Sequence, residues 1–168
     1  MEEGIAMNKD EVLKFHIPKW EDLPNIDLYL DQIVIILQEY LEQYIGNKEE
    51  KIITKTMVNN YVKQELIEPP VKKKYKKEHI AYLFVICILK QVYSINDIHE
   101  LIKVALKDNT VEEAYDKFCI ALEKAIQATF EEKEYKGKEN MTEEQILLKN
   151  ATLSFANKLY VEKKFLHK

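Results

Sequence analysis

The sequence predicts an all-α, or nearly all-α, protein, and three observations carry that prediction. Glycine and proline together supply only seven of 168 residues, well below a usual share of ~12%, too few turn-formers for a many-stranded sandwich or barrel. Apolar residues recur at three- and four-residue steps through several long segments, the period of a helix with one buried face. Hydrophobic residues make up 46% and charged residues 32%, a mix that supports a packed core and argues against disorder. The length fits one domain, or one small domain with an extension.

Residues 1–24 read as a loosely structured lead-in, broken by Pro18 and Pro24 and pinned to the body by Phe15 and Trp20. Asn25 is placed to cap the next helix, with Asp27 near its positive end. Ile26, Leu30, Ile33, Leu37, Tyr40, Leu41 and Tyr44 form its apolar stripe, and Gly46 ends it. Residues 48–53 read as a loop. Thr54 caps a shorter helix over 55–65, with Met57, Val58, Tyr61 and Val62 on its buried side. Pro69-Pro70 forbids a helix there, which leaves 71–77 as a loop, a short extended arm or a stub of hairpin. From 78 to 93 a helix is apolar at Ile80, Leu83, Phe84, Ile86, Cys87 and Leu89. It is the expected central helix, packed on Ile33 and Leu37.

Ser94 and Asp97 approximate a capping box for a helix bearing Ile95, Ile98, Leu101, Ile102 and Ala105. Asp108 or Thr110 caps a longer helix whose positions Val111, Tyr115, Phe118, Leu122, Ala125 and Thr129 make a heptad-like seam. The charged segment 131–140 is a linker, and a last helix starts near Thr142 with Leu148, Ala151, Phe155 and Leu159 on one face. The chain thus divides into a lead-in (1–24), a core (25–108) and a C-terminal helical extension (109–168). That extension has more apolar surface than a small core covers, so a homodimer is expected through it, with Tyr115, Phe118, Leu122 and Phe155 at the contact.

Little in the sequence supports catalysis. The glycines, at 4, 46 and 137, are too scattered for a phosphate loop or dinucleotide fingerprint. His99-Glu100 opens like a zinc-protease helix, but Lys103 stands where the second histidine belongs, and His16, His79 and His167 lack ligand spacing. Cys87 and Cys119 are too few and too far apart for a disulfide framework or a paired metal site. No metal, no cofactor and no enzymatic activity are therefore expected. The acidic start does not fit a signal peptide, and no apolar run nears the ~20 residues of a membrane span. The expected location is the cytoplasm, away from membranes.

Charge is more informative than the net of −4. Residues 1–47 hold ten acids and three lysines, whereas 51–77 hold eight lysines against Glu65 and Glu68. A local positive field attracts a polyanion whatever the overall sign. Every basic residue is lysine, so the guanidinium fork that best reads guanine is absent.

Within 54–101, Asn59-Asn60-Tyr61, Leu66-Ile67 before Pro69, Lys73 and Tyr75, and Tyr93-Ser94-Ile95 follow one another in a pattern that resembles the DNA-binding domain of MerR-type (mercury-resistance-regulator-like) transcription factors. The resemblance implies a winged helix-turn-helix with a shortened wing, and the C-terminal helices as an extension. Glu65 falls where that family carries a left-handed glycine, and the first helix is longer than in the family pattern. The core string NNYVK…PPVKKKY…HIA is also similar to an uncharacterised bacterial domain-of-unknown-function family, number 1836, over nearly the whole chain. The function implied is sequence-specific binding of double-stranded DNA in transcriptional regulation. Lys55, Thr56, Asn59, Asn60, Tyr61 and Lys63 would enter the major groove, while Lys72, Lys73, Lys74, Tyr75, Lys76 and Lys77 hold the backbone. The alternative is a helical protein-interaction module on the same scaffold without DNA binding. DNA binding predicts a contiguous positive face, and an adaptor predicts an exposed apolar groove. The effector, if there is one, is not legible.

Overall fold

The computed structural model describes residues 8–46, 49–166 and 168. Residues 1–7, with Gly4, residues 47–48 and His167 lie outside the described residues.

From residue 8 onward the lead-in is not loose. A single turn, α1 (Lys9–Leu13), is opened by Asn8, whose side chain accepts from the Glu11 amide at 3.4 Å. Val12, Phe15 and Ile17 are buried beyond it. The Phe15 ring meets Tyr44 edge-on at 4.5 Å and lies 5.9 Å from Phe155. The Pro18 carbonyl accepts from the Tyr115 hydroxyl, and Asp116 accepts from the Trp20 amide at 2.9 Å. The prolines that suggested a loosely structured lead-in lie instead in a strap whose apolar side chains, Phe15 and Ile17 among them, enter the core.

The helix expected after Asn25 starts later. Leu28–Tyr29 forms a short strand, β1, and α2 runs over Leu30–Leu41. Asn25 is therefore not its cap: its side chain accepts from Lys77 Nζ at 3.1 Å. The Gln32 side chain accepts from the Tyr29 amide at 2.9 Å at the helix start. The cause is tertiary, because β1 pairs antiparallel with β2 (Lys74–Tyr75), Leu28 opposite Tyr75 and Tyr29 opposite Lys74. Past α2 the chain turns until Gly46, at φ +76°, reverses it.

α3 (Lys55–Lys63) and α4 (Lys77–Leu89) follow. As expected, α4 is the central helix: Ile80, Leu83, Phe84 and Cys87 are buried, as are Ile33 and Leu37 of α2. Tyr40 packs edge-on against Phe84 at 5.6 Å. Ser94 accepts from the Asp97 amide to open α5 (Ile95–Leu106). Thr110, not Asp108, caps α6 (Val111–Phe130) in a full capping box with Glu113. Thr142 and Gln145 do the same for α7 (Glu143–Val161), which widens into a last turn over Glu162–Leu166.

α6 and α7 run parallel. Lys117 pairs with Glu144 near their starts (3.6 Å), and Phe130 stacks edge-on with Tyr160 near their ends (5.3 Å). The connecting segment therefore runs back along the pair, its Tyr135 ring 5.6 Å from Lys149 Nζ. This arrangement corrects the expected contact between copies. Tyr115, Phe118, Leu122 and Phe155 are 3%, 4%, 0% and 2% exposed within one chain. The seam that seemed to need a second copy is covered by α4, α7 and the N-terminal strap. One continuous core, from Val12 to Leu159, spans the lead-in, the central helices and the extension. Among the described residues no helix is long and apolar enough to cross a membrane.

Candidate nucleic-acid interface

Thr54 opens α3 by accepting from the Met57 amide at 3.2 Å. Val58 and Tyr61 turn into the core, so Lys55, Thr56, Asn59, Asn60 and Lys63 share the exposed side of the helix. At its end the Leu66 amide donates to the Tyr61 carbonyl (2.9 Å) and the Glu65 amide to the Val62 carbonyl (3.0 Å). That is a Schellman cap, and Glu65 holds its left-handed position at φ 59°.

The lysine arm then reverses within four residues. Val71 and Lys74 exchange two backbone hydrogen bonds of 3.0 Å, and the residues between them, Lys72 and Lys73, have φ of 51° and 64°. Consecutive left-handed residues are what a type I′ hairpin turn demands, and Asn-Gly is its usual occupant. Of the alternatives left open by the sequence, the arm is the stub of a hairpin. His79 anchors its base. Nδ1 accepts from the Lys76 amide (2.8 Å), Nε2 lies 3.1 Å from the Glu68 carbonyl, and the ring meets Tyr75 edge-on at 5.2 Å. With Nδ1 accepting, Nε2 is the ring atom placed to donate to the Glu68 carbonyl.

These contacts divide the candidate residues. Thr56, Asn59, Asn60, Lys63, Lys72, Lys73 and Lys76 are exposed, and none of these lysines makes an ion pair among the described residues. Lys55 is already paired with Asp31. Lys74 Nζ stands 5.3 Å from the centre of the Tyr29 ring, and Lys77 Nζ stands 5.2 Å from that of Trp20. Tyr61 and Tyr75 are corrected: at 6% and 3% exposed they are core residues. Burial, with Cys87 adding to it, pushes the Tyr61 phenol up to about 12, and burial also raises Tyr75. Each lies on the inner side of its element, where its ring packs rather than reads a groove.

The Asp31–Lys55 pair ties the start of α3 to the start of α2. Asp31 is two residues beyond Tyr29, the register partner of Lys74. The α3 face and the base of the arm therefore meet at one corner of the molecule. Asp31, Tyr29, Asn25 and His79 are the residues that sequence reasoning missed. Only His79 left a local signal, three residues after Lys76 at a helix start, where a side chain can reach back to an amide.

A model of the family described as a domain of unknown function, DUF1836, matches residues 18–118. The chain belongs to the DUF1836 family. The matched region begins in the N-terminal strap, contains α2 to α5 and the whole arm, and ends within α6. No curated protein and no solved structure gives a significant match. The DUF1836 region thus contains the α3 face and the arm, while α7 lies beyond it.

Proposed function

We propose that this protein binds double-stranded DNA sequence-specifically as a transcriptional regulator, on a MerR-like winged helix-turn-helix with a shortened wing. The observation that carries the reading is the arm tip. Lys72 and Lys73 stand exposed, without ion pairs among the described residues, in left-handed conformations that disfavour any side chain. Lys63, Lys72, Lys73 and Lys76 hold phosphates, and Asn59 and Asn60 offer side-chain amides to adenine N6 and N7. With no arginine in the sequence, direct reading of guanine is weak, and an A·T-leaning site follows.

The test is a salt titration on random and selected duplexes. Changing Lys72, Lys73 and Lys76 together to alanine should weaken binding to every duplex and flatten log affinity against log salt by about three units. Asn59→Ala should relax base preference by ~1–3 kcal/mol and leave the slope unchanged. Wild type that binds no duplex at low salt would overturn the reading. A second reading, docking of a protein partner, is favoured by Ile26, Tyr29 and Val71, which are 68%, 52% and 58% exposed around the two strands.

A further inference from the structure

Where the end of α3 and the turn after it face α5, the chain leaves an open basin of about 720 Å³, a size typical of small-molecule sites (~300–1,000 Å³). Its α5 wall presents His99, Lys103 and Lys107, spaced by four residues and so aligned on one face. The opposite wall presents Glu65 and Glu68, with Lys63 offsetting one of their charges. Among the described residues no ion pair within 4.0 Å crosses the basin. Lys103 instead turns to Glu100 on its own helix at 3.1 Å. The two walls carry opposite charge and no ion pair joins them among the described residues, so their field is available to an occupant that carries both signs.

Tyr82, Ile102 and Leu106 line this basin and also a second, almost wholly apolar cleft of about 60 Å³ among α4, α5, α6 and α7. A cavity of ~150 Å³ holds benzene; on that scale the cleft takes two or three carbons. The Tyr82 hydroxyl makes no hydrogen bond among the described residues. Burial first, and Glu68 second, raise its pKa, which keeps it a donor.

We propose that the basin binds a dipeptide-sized zwitterion with aliphatic side chains, its carboxylate on Lys103 and Lys107, its ammonium on Glu65 and Glu68, and one alkyl group in the cleft beside Tyr82. An extended dipeptide spans up to ~7 Å, longer than the 4.0 Å within which no ion pair joins the walls among the described residues. The proposal stands on this basin alone and does not depend on DNA binding.

Calorimetric titration of the full chain tests it with three probes: L-valyl-L-valine, its N-acetyl form and its C-terminal amide. Each cap removes one charge, and each should weaken binding about tenfold, the scale of a lost charge-assisted hydrogen bond. Changing Lys103 and Lys107, both exposed, to glutamine should abolish the preference for the free carboxylate alone. Glu68→Gln should reduce the preference for the free ammonium alone. Equal affinity for all three probes, no binding of the dipeptide at millimolar concentration, or glutamine variants that keep both preferences would overturn the proposal.

Discussion

Replacing Lys72 by Asn and Lys73 by Gly should make the protein more stable and a weaker DNA binder at once. Both residues hold positive φ, 51° and 64°, at roughly 1–2 kcal/mol each for a residue with a Cβ. Glycine removes that cost at Lys73 but loses about 0.5–1 kcal/mol of chain entropy on folding. Asparagine tolerates the left-handed region better than lysine and suits the first turn position. The net gain is therefore about 1–2 kcal/mol, and it loses no packing because both side chains are exposed. For a chain of this length each kcal/mol moves Tm by roughly 2–4 °C, so calorimetry should show a rise of about 2–8 °C. The same protein should lose two phosphate contacts, and its salt slope should fall by about 1.8. An unchanged or lower Tm refutes the account of the turn. A higher Tm with an unchanged slope refutes the role given to the two lysines and leaves the turn geometry standing.

Phe84→Ala should cost ~3–5 kcal/mol, because Phe84 is 1% exposed at the centre of the core; a urea midpoint within error of wild type would contradict that placement. Burial pushes the Cys87 thiol up to about 11 from 9.0, with Lys90 opposing. The unfolded chain then releases this proton first, so the stabilisation is complete below about pH 9 and is lost as pH rises towards 11. Urea midpoints at pH 8 and pH 10 check the direction, and thiol labelling at pH 8 should proceed no faster than unfolding. Glu132→Gly should stabilise the fold by about 0.5–1 kcal/mol, since Glu132 has φ 55°, and should leave any duplex binding unaltered.

What the sequence disclosed well was local. Thr54, Ser94 and Thr142 open helices through contacts spanning three residues, and such contacts leave a readable pattern. The uniformly apolar run of α4 pointed to the centre for the same reason: its composition alone demands burial on every side. What stayed hidden depends on partners far along the chain. β1 exists because residues 28–29 meet 74–75, and nothing around Asn25 announces that pairing. The seam of α6 was read correctly as apolar, yet its partner could be α7 or a second copy, and periodicity does not distinguish them. Within the candidate interface, exposure was legible from helical spacing for Asn59 and Asn60 but not for the lysines. Five lysines in six positions from 72 to 77 look alike in sequence; Lys74 and Lys77 differ only because Tyr29 and Trp20 lie beneath them.

Strain alone does not mark a site in this protein. Among the described residues four non-glycine positions have positive φ: Glu65, Lys72, Lys73 and Glu132. Glu132 terminates α6 through the same cap that Glu65 gives α3, with the Lys133 amide on the Ala128 carbonyl at 2.8 Å, and it lies outside the DUF1836 match. Two glutamates in equivalent caps suggest that this glycine-poor chain fills left-handed positions with whatever charged residue is at hand. On that account Lys72 and Lys73 would be two more instances, and their geometry would carry no functional weight. The difference lies in what each substitution changes besides stability. Glycine at Glu132 should stabilise and leave the salt dependence unaltered, at the loss only of the long 3.5 Å hydrogen bond from the Tyr160 hydroxyl, whereas Asn-Gly at Lys72-Lys73 should stabilise and flatten the salt dependence. If both variants behave alike on DNA, the arm tip is a fold-level compromise. If only the arm variant changes the slope, lysine is retained there for its charge, at a cost in stability that Asn-Gly would avoid.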